Sequence, residues 1–179
     1  MKVVTVTAGH SNTDPGAVNG KRTEAEIVAE MRNMVVSYLK TAGIVTRCDG
    51  TGTTNLPLTT AIQLAKGSTL AVEFHCNAST DRSARGVEVL SGDKHKAIAQ
   101  RIAGAVNKVL GIPLRGDKGW KSEGSGQHSR LGFISKADGL IVELFFISNN
   151  AELALWDEKK WLVAKEVAGV IVDYIKGLD

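Results

Sequence analysis

The run LIVELFF, residues 140–146, decides the fold. Apart from Glu143 it is apolar throughout, and it is too short for a buried helix. A strand with one wet face alternates polar and apolar residues, so an unbroken run belongs to a strand covered on both faces, as in a parallel sheet with helices above and below it. The rest of the chain supplies those layers. KVVTVTA (2–8), IVTRC (44–48), TLAVEFH (69–75) and GVEVLS (86–91) read as further strands. Residues 24–42 read as an amphipathic helix, with Ile27, Met31, Val35 and Leu39 at every fourth position and Gly43 as the stop. LTTAIQLAK reads as a short helix ended by Gly67. Residues 94–110 put Ile98, Ile102, Val106 and Val109 on one helical face before Gly111, and a last helix is expected from roughly Glu158 to Lys176. Strands alternating with helices predict an α/β fold: a single domain over residues 1–179, with a mostly parallel central sheet flanked by helices on both faces.

Composition narrows the class of function. A chain of 179 residues, 43% hydrophobic and 23% charged, suits one soluble globular domain. Its net charge of +3, from 22 basic and 19 acidic residues spread without a basic block, does not suggest a nucleic-acid partner. No apolar run approaches a membrane span, and MKVVTVTAGH does not read as a signal peptide, so synthesis in a cytoplasm is expected. The two cysteines, Cys48 and Cys76, form neither a disulfide framework nor a CxxC motif.

Ligands of open α/β sheets collect at the carboxyl ends of the strands. Three polar groups fall on such ends: His10 after VTVTA, His75 after LAVEF, and Glu143 inside LIVELFF. A fourth comes from the first helix. Glu24 lies one turn before Ile27 and Val28 and continues their stripe inward, whereas Glu26 and Glu30 share a polar face with Asn33, Ser37 and Lys40. A helix-capping charge near Thr23 is the plainer account of Glu24, and a buried pair with a lysine or arginine is the plainer account of Glu143. Two histidines and a carboxylate match a catalytic zinc ion, which takes three protein ligands and keeps one position for water. A second carboxylate beside them would handle the water's proton, and Glu143 suits that task because a charge in so apolar a strand needs a partner.

These segments resemble the zinc-dependent N-acetylmuramoyl-L-alanine amidases of the amidase_3 type, a family of bacterial cell-separation enzymes and phage endolysins. The resemblance lies in AGHSNTDPGA, where a first strand ends in Gly-His before an Asp-Pro-Gly loop, and in the glutamate that opens the helix TEAEIVAEM. It continues in EFHCNAS, a segment of the Ser-x-His-x-Asn-Ala type, and in the late acidic segment VELFFISNNAE, with all four in order along almost the whole chain. It implies zinc held by His10, Glu24 and His75, and Glu143 as catalytic acid and base. The implied substrate is peptidoglycan, cut at the amide between N-acetylmuramic acid and the first L-alanine of the stem peptide. A monomeric phage endolysin that reaches the wall after release from the host cytoplasm is the expected biological setting.

Two other readings compete. Cys76 could serve as a thiol nucleophile in a wall hydrolase, although neighbours on a strand point to opposite faces and His75 is badly placed to activate it. An inactive peptidoglycan-binding module would need the crevice but not Glu143. Of the remaining candidates, His95 is expected to be solvated among lysines at a helix start, and His128 to sit in a surface loop. Trp120 is left between stacking on a sugar and packing on the sheet.

Overall fold

The polypeptide doubles back on itself at the centre of its sheet, and that reversal creates the site. In the computed structural model, which describes residues 1–125 and 131–178, β1 (Val3–Ala8) pairs with β4 (Val45–Cys48) on one side and with β5 (Leu70–Asn77) on the other, parallel in both cases. The chain leaves β1 for β4 through α1 (Glu24–Thr41) and returns past β1 to β5 through α2 (Leu58–Ala65). Right-handed crossovers in opposite directions put the two helices on opposite faces, and the loops after β1 and β5 diverge around a crevice.

The six-stranded sheet has the order β4-β1-β5-β8-β6-β7, with β8 spanning Leu140–Phe146, β6 Glu88–Ser91 and β7 Trp120–Ser122. β8 runs parallel to β5, while β6 runs antiparallel to β8. The sheet is therefore mostly parallel and covered on both faces, as the apolar run at 140–146 requires. α1, α3 (Lys96–Leu110) and α5 (Asn150–Lys176) cover the larger core, with Phe74, Val142 and Trp156 wholly buried beneath them. α2 and α4 (Gly132–Ala137) cover the other face with a smaller cluster that includes Ala71, Phe133 and Ile141. A short hairpin of β2 (Val18–Asn19) and β3 (Arg22–Thr23) leads into α1.

Several expectations need correction. The last helix begins at Asn150, eight residues before Glu158, because the side chain of Asn149 accepts from the amides of Ala151 and Glu152 and so starts the helix there. β7 and α4 lie in stretches too short to show a period. His95 is not solvated: a 3-10 turn over Asp93–His95 tucks its ring inward to 8% exposure, with Nε2 at 3.1 Å from the Asp138 carbonyl oxygen. Trp120 packs on the sheet, donating its Nε1–H to Ser91 Oγ under the ammonium of Lys96. His128 lies outside the described residues.

Candidate metal centre and active site

Capping chemistry frees Glu24 for other work. Thr23 is the N-cap of α1 and forms a reciprocal capping box with Glu26, whose carboxylate returns to the Thr23 amide. Glu26 is exposed and Glu24 is 4% exposed, so the inward and outward assignments hold and the capping role falls to Glu26. Each oxygen of Glu24 accepts one backbone amide and faces one imidazole. Oε1 takes the Cys76 amide at 2.9 Å and lies 3.1 Å from His75 Nδ1; Oε2 takes the Ala17 amide at 3.1 Å and lies 2.9 Å from His10 Nε2.

The histidines come from the two strands that flank the crevice. His10 follows the end of β1 with φ 65°, a left-handed conformation uncommon for a residue with a side chain, and this turns its ring back over the sheet edge. Three carbonyls in the turn, those of Ala8, Gly9 and His10, accept from the single amide group of Asn55 at 2.9–3.2 Å. Asn55 is held in turn by Arg32, wholly buried and paired with buried Asp49 at 3.1 Å. Gly16 is required as well, since at φ +66° a Cβ there would stand 2.7 Å from both Glu24 Oε2 and His10 Nε2.

Among the described residues, His10, Glu24 and His75 form a group whose ligand atoms lie within 4.8 Å of one another. Two neutral imidazoles and one carboxylate are the donor set of a catalytic zinc site, and the group fits one. Burial works against charge on all three. Hydrogen bonds from His10 and His75 nevertheless hold the Glu24 carboxyl well below the usual range, and the same contacts raise both imidazoles, His75 well above the ordinary histidine value. A concentrated negative site thus draws positive charge, which is the electrostatic precondition for a divalent cation.

Glu143 stands beside His75 in register on the neighbouring strand. Because β6 is antiparallel, its first residue, Glu88, pairs with Glu143 from the other side. Glu88 is itself paired with cations, Arg115 Nε at 2.7 Å and Lys121 Nζ at 2.8 Å. Among the described residues Glu143 Oε2 is buried without a hydrogen-bond partner, and burial, with the charges of Glu24 and Glu88, pushes its carboxyl up to about 7 against the pull of His75. A carboxyl near neutrality can both take and return a proton.

A cleft of about 360 Å³ opens beside the cluster on the α2 and α4 side, with Pro57, Leu58, Leu131, Phe133 and Ile141 facing His10 and His75. Cys76 points away into the larger core, and burial raises its thiol well above the ordinary value, opposite to what a nucleophile needs. Asn55, Glu88, Asp14 at 3.0 Å from His10 Nδ1, and Glu73 at 3.2 Å from His75 Nε2 were not singled out by the sequence. Glu73 could have been, by the same signal that marked Glu143: a charge in an apolar strand.

Fold and cluster together define an open α/β domain with a His-Glu-His centre at its topological switch point. Residues 4–173 match the family model Amidase_3, N-acetylmuramoyl-L-alanine amidase, and the chain belongs to that family. Among solved structures it is similar to a putative N-acetylmuramoyl-L-alanine amidase from Neisseria meningitidis, with 45% identity, a TM-score of 0.91, and 98% of this chain and 96% of that one covered. It also resembles the catalytic domain of CwlV, an N-acetylmuramoyl-L-alanine amidase from Bacillus (Paenibacillus) polymyxa, at 25% identity and TM-score 0.79, over 98% and 99% of the two chains. AmiC2 of Nostoc punctiforme, at 18% identity and TM-score 0.85 over 98% and 97%, shares the fold. No curated protein matches.

Proposed function

We propose that the chain is a single monomeric catalytic domain that hydrolyses peptidoglycan at the amide between N-acetylmuramic acid and the L-alanine of the stem peptide, with zinc held by His10, Glu24 and His75. The observation that carries this is the pairing of that cluster with Glu143, one strand away, whose buried Oε2 has no hydrogen-bond partner among the described residues. A bound zinc ion would supply Lewis acidity and a water more acidic than bulk. Glu143, as the carboxylate, would accept a proton from the attacking water and return it to the departing alanine nitrogen. The apolar wall of Leu58, Leu131 and Phe133 suits the methyl-bearing lactyl and alanyl groups on either side of the scissile bond. No helix among the described residues is long and apolar enough to cross a membrane. In the lytic setting suggested by the sequence, the enzyme would meet the wall from the cell that made it.

The test is mass spectrometry of peptidoglycan digested by the zinc-loaded protein. Free stem peptides with an amino-terminal L-alanine are expected, with loss of the product in chelator, recovery with zinc, and no effect of a thiol reagent. Cleavage between sugars, or cleavage that survives chelation and stops with the thiol reagent, would overturn the assignment. Binding without cleavage would support the inactive module instead.

A further inference from the structure

The carboxylate of Glu73 is 2% exposed and has no function in the reaction described so far. It sits two residues before His75 on the same face of β5, and its Oε1 lies 3.2 Å from His75 Nε2. Its other oxygen accepts from the Thr7 hydroxyl at 3.1 Å, across the β1–β5 register where Thr7 and Glu73 are direct partners. Glu73 is outside the group of atoms within 4.8 Å that could share one ion, so it is not a ligand of that group. The two ring nitrogens of an imidazole face different directions. On His75, Nδ1 looks toward Glu24 and Nε2 toward Glu73.

We infer that Glu73 is a positioning residue that holds the His75 proton on Nε2 and so presents the Nδ1 lone pair to the metal. Both ring nitrogens of His75 face a carboxylate, Nδ1 that of Glu24 at 3.1 Å and Nε2 that of Glu73 at 3.2 Å; with the Nδ1 lone pair given to a metal, the one proton of the neutral ring stays on Nε2, where the Glu73 carboxylate accepts its hydrogen bond. Thr7 keeps the carboxylate in place by donating from the adjoining strand. His10 has the mirror arrangement: Nδ1 lies 3.0 Å from Asp14 and Nε2 faces Glu24. The two histidines therefore ligate through different nitrogens, His75 through Nδ1 and His10 through Nε2. The Asp14 side chain is 62% exposed and that of Glu73 is 3% exposed, so water replaces the first partner more readily than the second.

The inference rests on the zinc reading above, and two independent readouts keep them apart. The first is the zinc dissociation constant by chelator competition. Glu73→Leu should lose about 10–100-fold in affinity, as loss of a partner to a ligating histidine does. Asp14→Asn should lose less, and Glu73→Gln, whose amide oxygen can still accept from Nε2–H, should fall between Glu73→Leu and the parent. The second is the protonated nitrogen of His75, and the exchange rate of its proton, by nitrogen NMR in the zinc-loaded protein. A slowly exchanging Nε2–H is expected in the parent and in Glu73→Gln, and a rapidly exchanging one in Glu73→Leu. If Glu73→Leu does not fold, the parent's tautomer and the Glu73→Gln affinity decide. Zinc affinity of a folded Glu73→Leu within twofold of the parent, or an Nδ1–H tautomer in the parent, overturns the inference. A parent that takes up no zinc would overturn the proposed function and this inference with it, whereas a parent that binds zinc with an affinity indifferent to Glu73 overturns the inference alone.

Discussion

Gly9 and His75 touch: the imidazole of His75 lies so close to the Gly9 backbone that a Cβ at Gly9 would fall inside the ring's van der Waals surface. A glycine ending β1 is thus the floor on which a histidine from β5 rests. Its φ is not in the left-handed region, so alanine is excluded by the neighbouring ring and not by its own backbone. Gly9→Ala should fold with a melting temperature near that of the parent, yet lose about 100-fold or more in amide hydrolysis, because a catalytic group moved by about 1 Å costs that much. Zinc content by atomic absorption should fall with it, and a variant with full zinc and full turnover would contradict the placement of His75.

Glu143→Gln separates binding from chemistry. Zinc uptake should be unchanged while turnover falls by about 10²–10⁴-fold, the usual worth of a general acid–base group. The same variant reports on stability in the presence of chelator. The Glu143 carboxyl is raised from 4.5 to about 7 in the fold, so its protonated form is favoured there; that contribution is complete below pH 4.5 and is lost as pH rises through about 7. At about pH 8 the buried carboxylate costs the parent up to about 3 kcal/mol that the amide avoids. Thermal unfolding should show Glu143→Gln more stable than the parent at about pH 8 and equal to it at about pH 4. An equal gap at both would remove the shift.

Zinc binding should release protons. Burial opposes charge on His10 and His75, but the contacts with Glu24 outweigh it and raise both imidazoles, so part of the metal-free population carries charge on them near neutrality. A ligand imidazole must be neutral. Affinity should therefore rise with pH above the ordinary imidazole value of about 6.5, with up to about two protons released per ion. Titration calorimetry in two buffers of different ionisation enthalpy would measure the number, and identical heats would exclude the linkage.

The site also depends on residues that touch none of its ligand atoms. Arg32 and Asp49 are both wholly buried, and Arg32→Met would leave Asp49 with the Ala8 amide but without its counter-charge, at a cost of about 3–5 kcal/mol. Adding Asp49→Asn should recover part of it. Asn55→Ala removes the amide group shared by the Ala8, Gly9 and His10 carbonyls and should cost about 1–3 kcal/mol. Its hydrolysis rate should fall more steeply than its melting temperature, because His10 loses its support before the core does. Denaturant melts and turnover measured together would show whether the two losses separate.

The strands at 2–8 and 140–146, the stripe of the first helix and the inward turn of Glu24 were legible in the sequence because each is set within a few residues, by a short apolar or β-branched run or by a period of 3.6. His10 and His75 were legible for the same reason: a strand's end is a local event, and open α/β sheets gather their chemistry at such ends. What local order could not show was direction and partnership. The antiparallel course of β6, which brings Glu88 beside Glu143, is decided by pairing with β8 more than fifty residues later. The burial of His95 against Asp138 and the Arg32–Asp49–Asn55 network likewise join distant segments. The sequence by itself determined which side chains could reach the sheet edge. Only the tertiary structure decided what each would face there, because hydrogen bonds and the absence of a counter-charge are properties of the packed neighbourhood and leave no period along the chain.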